Sequence, residues 1–326
     1  MYSRRLGYSP TSALVKRRES TLVTVAVCAL TFRRPRGLAR LVEGLRNLEI
    51  PADAEVYLVI VDNDPEGSAG DQIHAAQESF PWPVRYVVEP HPGIPVARNT
   101  AVRVAADADF VAFIDDDEFP DRHWLKELLV VQKNTAADVV TGPVLPDFEK
   151  DPPQWIVGGG FFDRPRFPTG ERINWATTSS VLIARHLLES AEPFSTDMQR
   201  TGGSDTHFFM RSEMEGATIV WADEALVSET IPDTRMTTSW IVRREYRRGN
   251  TLSICLRSLQ DSPLRRVRRT GHAVLRIGQG VGTILMSIFR GRPTAVRGLQ
   301  RVAFGLGMIA GLVGLRYEEY VVVHGS

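Results

Sequence analysis

The run Leu22-Val-Thr-Val-Ala-Val-Cys28 is rich in β-branched residues and predicts a first strand. Leu38, Leu41, Val42, Leu45 and Leu48 then return at three- and four-residue spacing, which predicts a helix over about 36–48. Val56 to Val61 is an unbroken apolar run, as expected of a strand covered on both faces. Val84–Val88 reads as a third strand, 96–106 as a helix entered through His91-Pro92-Gly93-Ile94-Pro95, and Phe110–Ile114 as a fourth strand. Trp124, Leu125, Leu128 and Leu129 mark the next helix, and Val139-Val140 a further strand. This alternation predicts the α/β class, a mostly parallel sheet flanked by helices.

The middle is less regular. Residues 143–176 hold six prolines and Gly158-Gly159-Gly160, which predicts a long loop. Val181–Ile183 and Thr218–Trp221 read as strands. A helix is expected to begin near Asp205 with Phe208 and Phe209 facing inward, and another to span 236–248 and stop at Gly249. Two apolar runs follow. Ala273–Phe289 is interrupted by Arg276, Gln279 and three glycines, and Val302–Leu315 contains four glycines. Both fall short of the roughly 20 clean residues of a spanning helix. Flanked by arginines, they suit helices lying in a membrane interface; a helical hairpin packed on the body is the alternative. The expected division is a disordered basic tail at 1–20, a globular domain at 21–255 and an Arg-rich helical tail at 256–326.

Charge sharpens that division. The 326-residue chain is neutral overall, but residues 1–20 carry a net +4, residues 21–260 a net −11 and residues 261–301 a net +8. An acidic body with an Arg-rich apolar tail points to an anionic surface as partner. No motif for base readout accompanies the arginines, which argues against nucleic acid. Cys28 and Cys255 offer no disulfide framework and suit a reducing cytoplasm. The first apolar run has no cleavage site after it, so no secretory signal is read.

The chemistry concentrates at Asp115-Asp116-Asp117-Glu118, directly after the fourth strand. Crowded carboxylates raise the cost of ionising one another, and a divalent cation removes that penalty. On an extended backbone Asp115 and Asp117 point to one side. Asp117 is the first choice of metal ligand, with Asp115 assisting and Asp116 turned away or toward a ribose. An acidic helix start is the alternative. Oxygen ligands favour Mg²⁺ or Mn²⁺ over zinc. Ligands of open α/β sheets bind outside the carboxyl ends of the strands, which makes Thr31 and Arg33 after strand one, and Asp62 after strand two, candidates for donor binding. Asp62 in Asp-Asn-Asp could equally form a turn. Arg98 could reach a base or diphosphate, or be a surface arginine. In Gly202-Gly203-Ser204-Asp205, Asp205 reads as a helix cap or a general base, and spacing alone favours the cap. Arg243, Arg244, Arg247 and Arg248 cluster around Tyr246 and could grip a diphosphate or lipid phosphate, or line a solvated helix face. Trp155 could stack on a sugar ring or pack its own loop.

Taken in order, Val25–Arg36, Val59-Ile-Val-Asp-Asn-Asp64, Gly93-Ile-Pro-Val-Ala-Arg-Asn99, Phe113–Glu118, Gly202–Asp205 and Arg243-Arg-Glu-Tyr-Arg-Arg-Gly249 resemble family 2 glycosyltransferases, in particular the bacterial branch that builds succinoglycan-type exopolysaccharides. The resemblance implies a GT-A fold with a Rossmann-like nucleotide-binding sheet, a nucleotide-sugar donor (a UDP-sugar is expected), Mn²⁺ or Mg²⁺, and inverting transfer. It implies that Asp62 contacts the base, that Asp115 and Asp117 form the Asp-x-Asp element, and that Asp205 is the catalytic base. Gly202 and Gly203 would let the ligand approach, and Arg244, Arg247 and Arg248 would sit by the diphosphate or by a glycan or polyprenyl-phosphate-linked acceptor. Such an enzyme would work in the cytoplasm, peripheral on the inner face of the cell membrane. Two departures stand out. Ser204 replaces the acid that usually precedes the base, and Ser228-Glu229 stands where many members carry a histidine. A sugar nucleotidyltransferase is a rival, although Thr31–Pro35 lacks its Gly-rich loop. A non-catalytic nucleotide-sugar binder docked at the membrane is another.

Overall fold

In the computed structural model, which describes residues 22–318, the β-branched run forms β1 (Val23–Thr31). The expected basic tail at 1–20 lies outside the described residues. Helix α1 (Pro35–Arg46) buries Leu38, Leu41, Val42 and Leu45, the residues its spacing had put on one face. β2 (Ala54–Asp62), α2 (Gly70–Gln77), β3 (Val84–Val88), α3 (Ile94–Val104) and β4 (Phe110–Phe113) complete the first half. Next come β5 (Glu118–Pro120), α4 (Trp124–Thr135), β6 (Val139–Thr141), β7 (Val144–Phe148), α5 (Gln154–Val157), β8 (Arg172–Ile173) and β9 (Val181–Ala184). The rest is α6 (Ser204–Met214), β10 (Ile219–Trp221), β11 (Val227–Ile231), α7 (Thr238–Leu259), α8 (Pro263–Arg290) and α9 (Arg292–Leu312).

The main sheet has the order β3-β2-β1-β4-β9-β6-β10-β8. β1 runs parallel to both β2 and β4, while β9 is antiparallel to its two neighbours. Alternate residues of β1 feed two cores, as the two-residue period of a strand requires. Val25, Val27 and Ala29 pack with α1 and Trp124, whereas Ala26 and Cys28 pack with α3, Phe194, Phe208 and Phe209. Each fully buried Leu or Phe contributes about 1.5–3 kcal/mol. A small second sheet, β5-β11-β7, stands beside the first.

Two sequence expectations fail here. Residues 143–176 are not one loop: they contain β7, α5 and β8, and β7 is held by parallel pairing with β11. Nor does Gly249 stop α7, which runs ten residues further to Leu259. Gly249 is a crossing point. A Cβ on it would lie 2.1 Å from the Phe304 carbonyl oxygen of α9, and one on Gly307 would lie 2.0 Å from that of Tyr246. Only glycine permits this approach, and the expected division after residue 255 falls inside the same helix.

The tail is a hairpin. α9 lies between α7 and α8, so its inner side is joined to the body. α8 is one unbroken helix through Arg276 and its glycines. Among the described residues it alone has the length and apolar content of a crossing helix, yet it buries little of its surface. It keeps Leu264, Val267, Val274, Leu285, Ile288 and Phe289 exposed.

Candidate active site

The register of β1 against β4 pairs Cys28 with Phe113, so continuing both chains by three residues sets Thr31 opposite Asp116. Thr31 Oγ1 donates to Asp116 over 2.9 Å. The chain turns at 116–117 between β4 and β5, and this overturns the extended geometry expected of the triplet. Asp116 is buried, and its two oxygens accept from Thr31 and Arg34. It therefore braces the turn. Burial pushes its carboxyl up to about 6, against the pull of Arg34.

From this turn a line of alternating charges crosses to the second sheet. Arg34 reaches Asp116 at 2.9 Å and Asp117 at 3.3 Å. Arg235 reaches Asp117 at 3.4 Å and Glu229 at 2.7 Å, and Arg164 closes the line on Glu229 at 2.5 Å. Asp117 keeps about a quarter of its side chain exposed. Asp115 accepts from Ser179 Oγ at 2.9 Å, while its own backbone N–H donates to the buried Glu118. Burial raises both carboxyls; Asp115 adds to the rise at Glu118, and Asp117 and Glu229 add to the rise at Asp115, which Arg98 pulls back down.

These residues suit a hard divalent cation. The donors are all oxygen, and two enclosed carboxyls that cannot ionise together would be relieved by a positive ion beside them. Among the described residues no three acids, histidines or cysteines form a ready cage. Mg²⁺ and Mn²⁺ chemistry needs none, since Mg²⁺ is commonly held by one or two carboxylates and the substrate's phosphates.

The second expected motif meets the first through Arg98. This arginine is buried, donates to Ser204 Oγ over 2.8 Å and lies over the Phe194 ring, while its charge acts on Asp115. Gly202 and Gly203 both adopt positive φ, 69° and 86°, to bring the chain into α6. A Cβ on Gly203 would lie 2.0 Å from Thr251 Cγ2 of α7. Gly203 thereby takes the cap position. Asp205 is the second residue of the helix, partly exposed, and accepts from the Thr206 backbone N–H at 2.7 Å.

Other expected residues lie elsewhere. Asp62 is fully buried, and its carboxylate accepts from the N–H groups of Asp64 and Ala69 and from the Tyr86 hydroxyl. It holds the turn after β2. Arg33, at φ 54°, grips Asp64 at 2.9 and 3.1 Å with more than half of its side chain exposed at the sheet edge. Arg244 lies 5.2 and 5.0 Å from the Phe162 and Trp240 ring centres and donates to the Phe161 carbonyl. Burial lowers it to about 10, which leaves it charged near neutral pH, and it is held against these two rings. Arg248 pairs with Glu245 at 2.9 Å, and Arg247 is half-buried on the same helix. Trp155 presents its ring to Arg292, 3.9 Å from the centroid, and packs on Phe161. A cavity of about 580 Å³ lined by Leu22, Asp109 and His186 is at the opposite strand ends and adjoins none of these groups.

Sequence reasoning missed Arg164, Arg235 and Ser179. Each lies among other polar residues in an aperiodic stretch with nothing to single it out, and the first two meet Asp117 and Glu229 where β11 pairs with β5 and β7. Arg34 and Glu118 were visible as neighbours of candidate residues, without a signal for their roles.

A family model described as glycosyl transferase family 2 matches residues 26–189. The chain is 31% identical over 305 residues to the succinoglycan biosynthesis protein ExoM of Rhizobium meliloti (strain 1021), covering 93% of this chain and 96% of that one. It is 22% identical over 246 residues to the glucosyl-dolichyl phosphate glucuronosyltransferase of Haloferax volcanii, covering 70% and 75%. Among solved structures, residues 1–349 of S. aureus TarS in complex with UDP-GlcNAc share the fold at a TM-score of 0.51 and 15% identity, over 93% of this chain and 95% of that one. A longer TarS chain gives a TM-score of 0.52, and the present chain spans 55% of its length.

Proposed function

The chain belongs to glycosyl transferase family 2, and from that membership we propose that it moves a sugar, with inversion, from a UDP-sugar to a glycan or polyprenyl-phosphate-linked acceptor in cell-surface polysaccharide synthesis. The observation that carries this reading is Arg98, which touches the Gly-Gly-Ser-Asp corner through Ser204 and acts on the acidic turn through Asp115. That link supports reading the donor site and the base as neighbours. The name of the relative ExoM and the UDP-GlcNAc complex of TarS support the donor class and the pathway type.

In the proposed reaction Asp205 accepts the proton of an acceptor hydroxyl as its oxygen bonds to the anomeric carbon. The bond from that carbon to the diphosphate oxygen breaks, and the electron pair leaves with the nucleoside diphosphate. Asp117 and Asp115 would hold Mn²⁺ or Mg²⁺, which supplies Lewis-acid neutralisation of the diphosphate when bound. Arg34, Arg164 and Arg235 add fixed positive charge beside it. Thr31, Arg33 and Arg98 frame the donor edge. Gly202, Gly203, Arg247 and Arg248 lie toward the acceptor side, and residues 21–255 carry the catalytic unit. The enzyme would work in the cytoplasm, peripheral on the membrane face where lipid-linked acceptors reside.

A thermal-shift screen of nucleotide sugars with and without Mn²⁺ tests the donor, and Asp205→Asn tests the base. Transfer should fall by about 10³-fold or more while UDP binding persists, a loss at the upper end of the general-base contribution. Unchanged transfer in that variant would remove Asp205 from the mechanism.

A further inference from the structure

The outer side of α8 divides lengthwise into two strips of different chemistry. Leu264, Val267, Val274, Val281, Leu285 and Ile288 follow a repeating three-and-four spacing, and all are exposed by 48–81%. Gly271 and Gly278 fall in the same sequence of steps, with nothing within 4 Å of where a Cβ would stand. A neighbouring side, about a third of a turn round the helix, is spent on α9: Ala273 is fully buried, Gly280 abuts Gly298 and Val302, and Ile277 and Ile284 cover Gly305 and Gly298. The arginines other than Arg266 lie on the remaining side, turned away from the stripe. α8 has six, Arg265, Arg266, Arg268, Arg269, Arg276 and Arg290, and no acidic residue. The side chains of Arg265 and Arg268 have no partner among the described residues, and Arg276 lies along Phe304 of α9.

From this we propose that α8 lies flat in the headgroup region of an anionic lipid surface, with the Leu264–Ile288 stripe inserted and the arginines at phosphate level. This deepens the peripheral placement proposed above and rests on it. The charge pattern selects the occupant. Asp261 pairs with Arg266 alone; lipid phosphates answer the five cations left over, whereas a second copy of this face would set those arginines against one another. A crossing helix would have to carry Arg276 through the hydrocarbon. Because α9 is clamped to α7 on its other side, a docked α8 would also fix how the cleft faces the membrane.

The test is flotation of the full chain with vesicles of mixed phosphatidylglycerol and phosphatidylcholine, and with phosphatidylcholine alone. The chain should bind the anionic vesicles at least about tenfold more tightly, with an affinity that falls as salt rises. Leu285→Asp with Ile288→Asp should weaken binding by about tenfold or more, and Arg265→Glu with Arg268→Glu should abolish the preference for anionic lipid. Both pairs are exposed, so the melting temperature should hold. Binding indifferent to both pairs, resistance to alkaline carbonate, or a solution dimer dissolved by the Asp pair would each overturn the proposal. UDP binding is measured on the same sample. Its loss with vesicle binding intact would sink the enzyme reading and leave this one standing.

Discussion

Arg98 Nη1 donates to Ser204 Oγ over 2.8 Å, so a residue of α3 fixes the entry of α6 on the same face of the sheet. Arg98→Ala leaves the Ser204 hydroxyl unpaired and Asp115 without its nearest opposing charge. The loss of stability should be about 1–3 kcal/mol, read as a lower melting temperature. The UDP-induced thermal shift and transfer should weaken together, because one side chain serves the donor edge and the corner that carries Asp205. Transfer at the wild-type level would dissolve that link.

Asp117 lies between two arginines that each hold another carboxylate, Asp116 for Arg34 and Glu229 for Arg235. Asp117→Asn should therefore change metal-free stability by no more than about 1 kcal/mol. The additional stabilisation by UDP that depends on Mn²⁺ should disappear. A variant that still responds to Mn²⁺ would relocate the cation.

The Arg33–Asp64 pair predicts an acid-side effect. Hydrogen bonding from Arg33 holds the Asp64 carboxyl at about 2, below its unfolded value. The pair's contribution is therefore fully present above about pH 4 and is lost as pH falls through about 2. In Arg33→Gln the melting temperature should decline less steeply across that window than in the parent. Identical slopes would mean that the exposed Arg33 contributes nothing measurable.

Gly249→Ala should destabilise by about 1–3 kcal/mol, because its methyl meets the Phe304 carbonyl of α9. Gly282→Ala on α8 meets nothing within 4 Å and should stabilise by up to about 1 kcal/mol. Opposite signs in two melting curves check the packing of the hairpin.

Arg297 of α9 donates to the carbonyls of Gly158 and Gly159. Arg297→Ala should loosen the segment after α5, and limited proteolysis at 158–160 should accelerate while the rest of the chain resists. Equal cleavage rates would show that Trp155, Phe161 and Val296 hold that segment without it.

The first half of the fold was legible because its strands are buried on both faces and its helices bury one stripe, so apolar runs and periodic leucines report the elements directly. α2 left no such trace, since it buries Ile73 alone. The 143–176 stretch misled because β7 takes its place from pairing with β11, and proline content carries no information about a distant partner. Gly249 read as a stop because close helix approach and helix termination favour the same residue. Within the site, Asp115, Asp117 and Asp205 stood out by crowding or by their glycines. The buried duty of Asp62 depends on Tyr86, 24 positions away, and the route from Asp117 to Arg164 exists only after the second sheet has formed.

The shared middle helix of the tail has a practical corollary. Because α9 seats Gly307 and Gly311 on α7 and its arginines on residues 155–159, trimming the chain at residue 255 would cut α7 and remove its cover together. It would strip the cover from a glycine-lined groove and unpin a cleft wall in one cut. Body and helical tail have to be expressed and purified as a single piece.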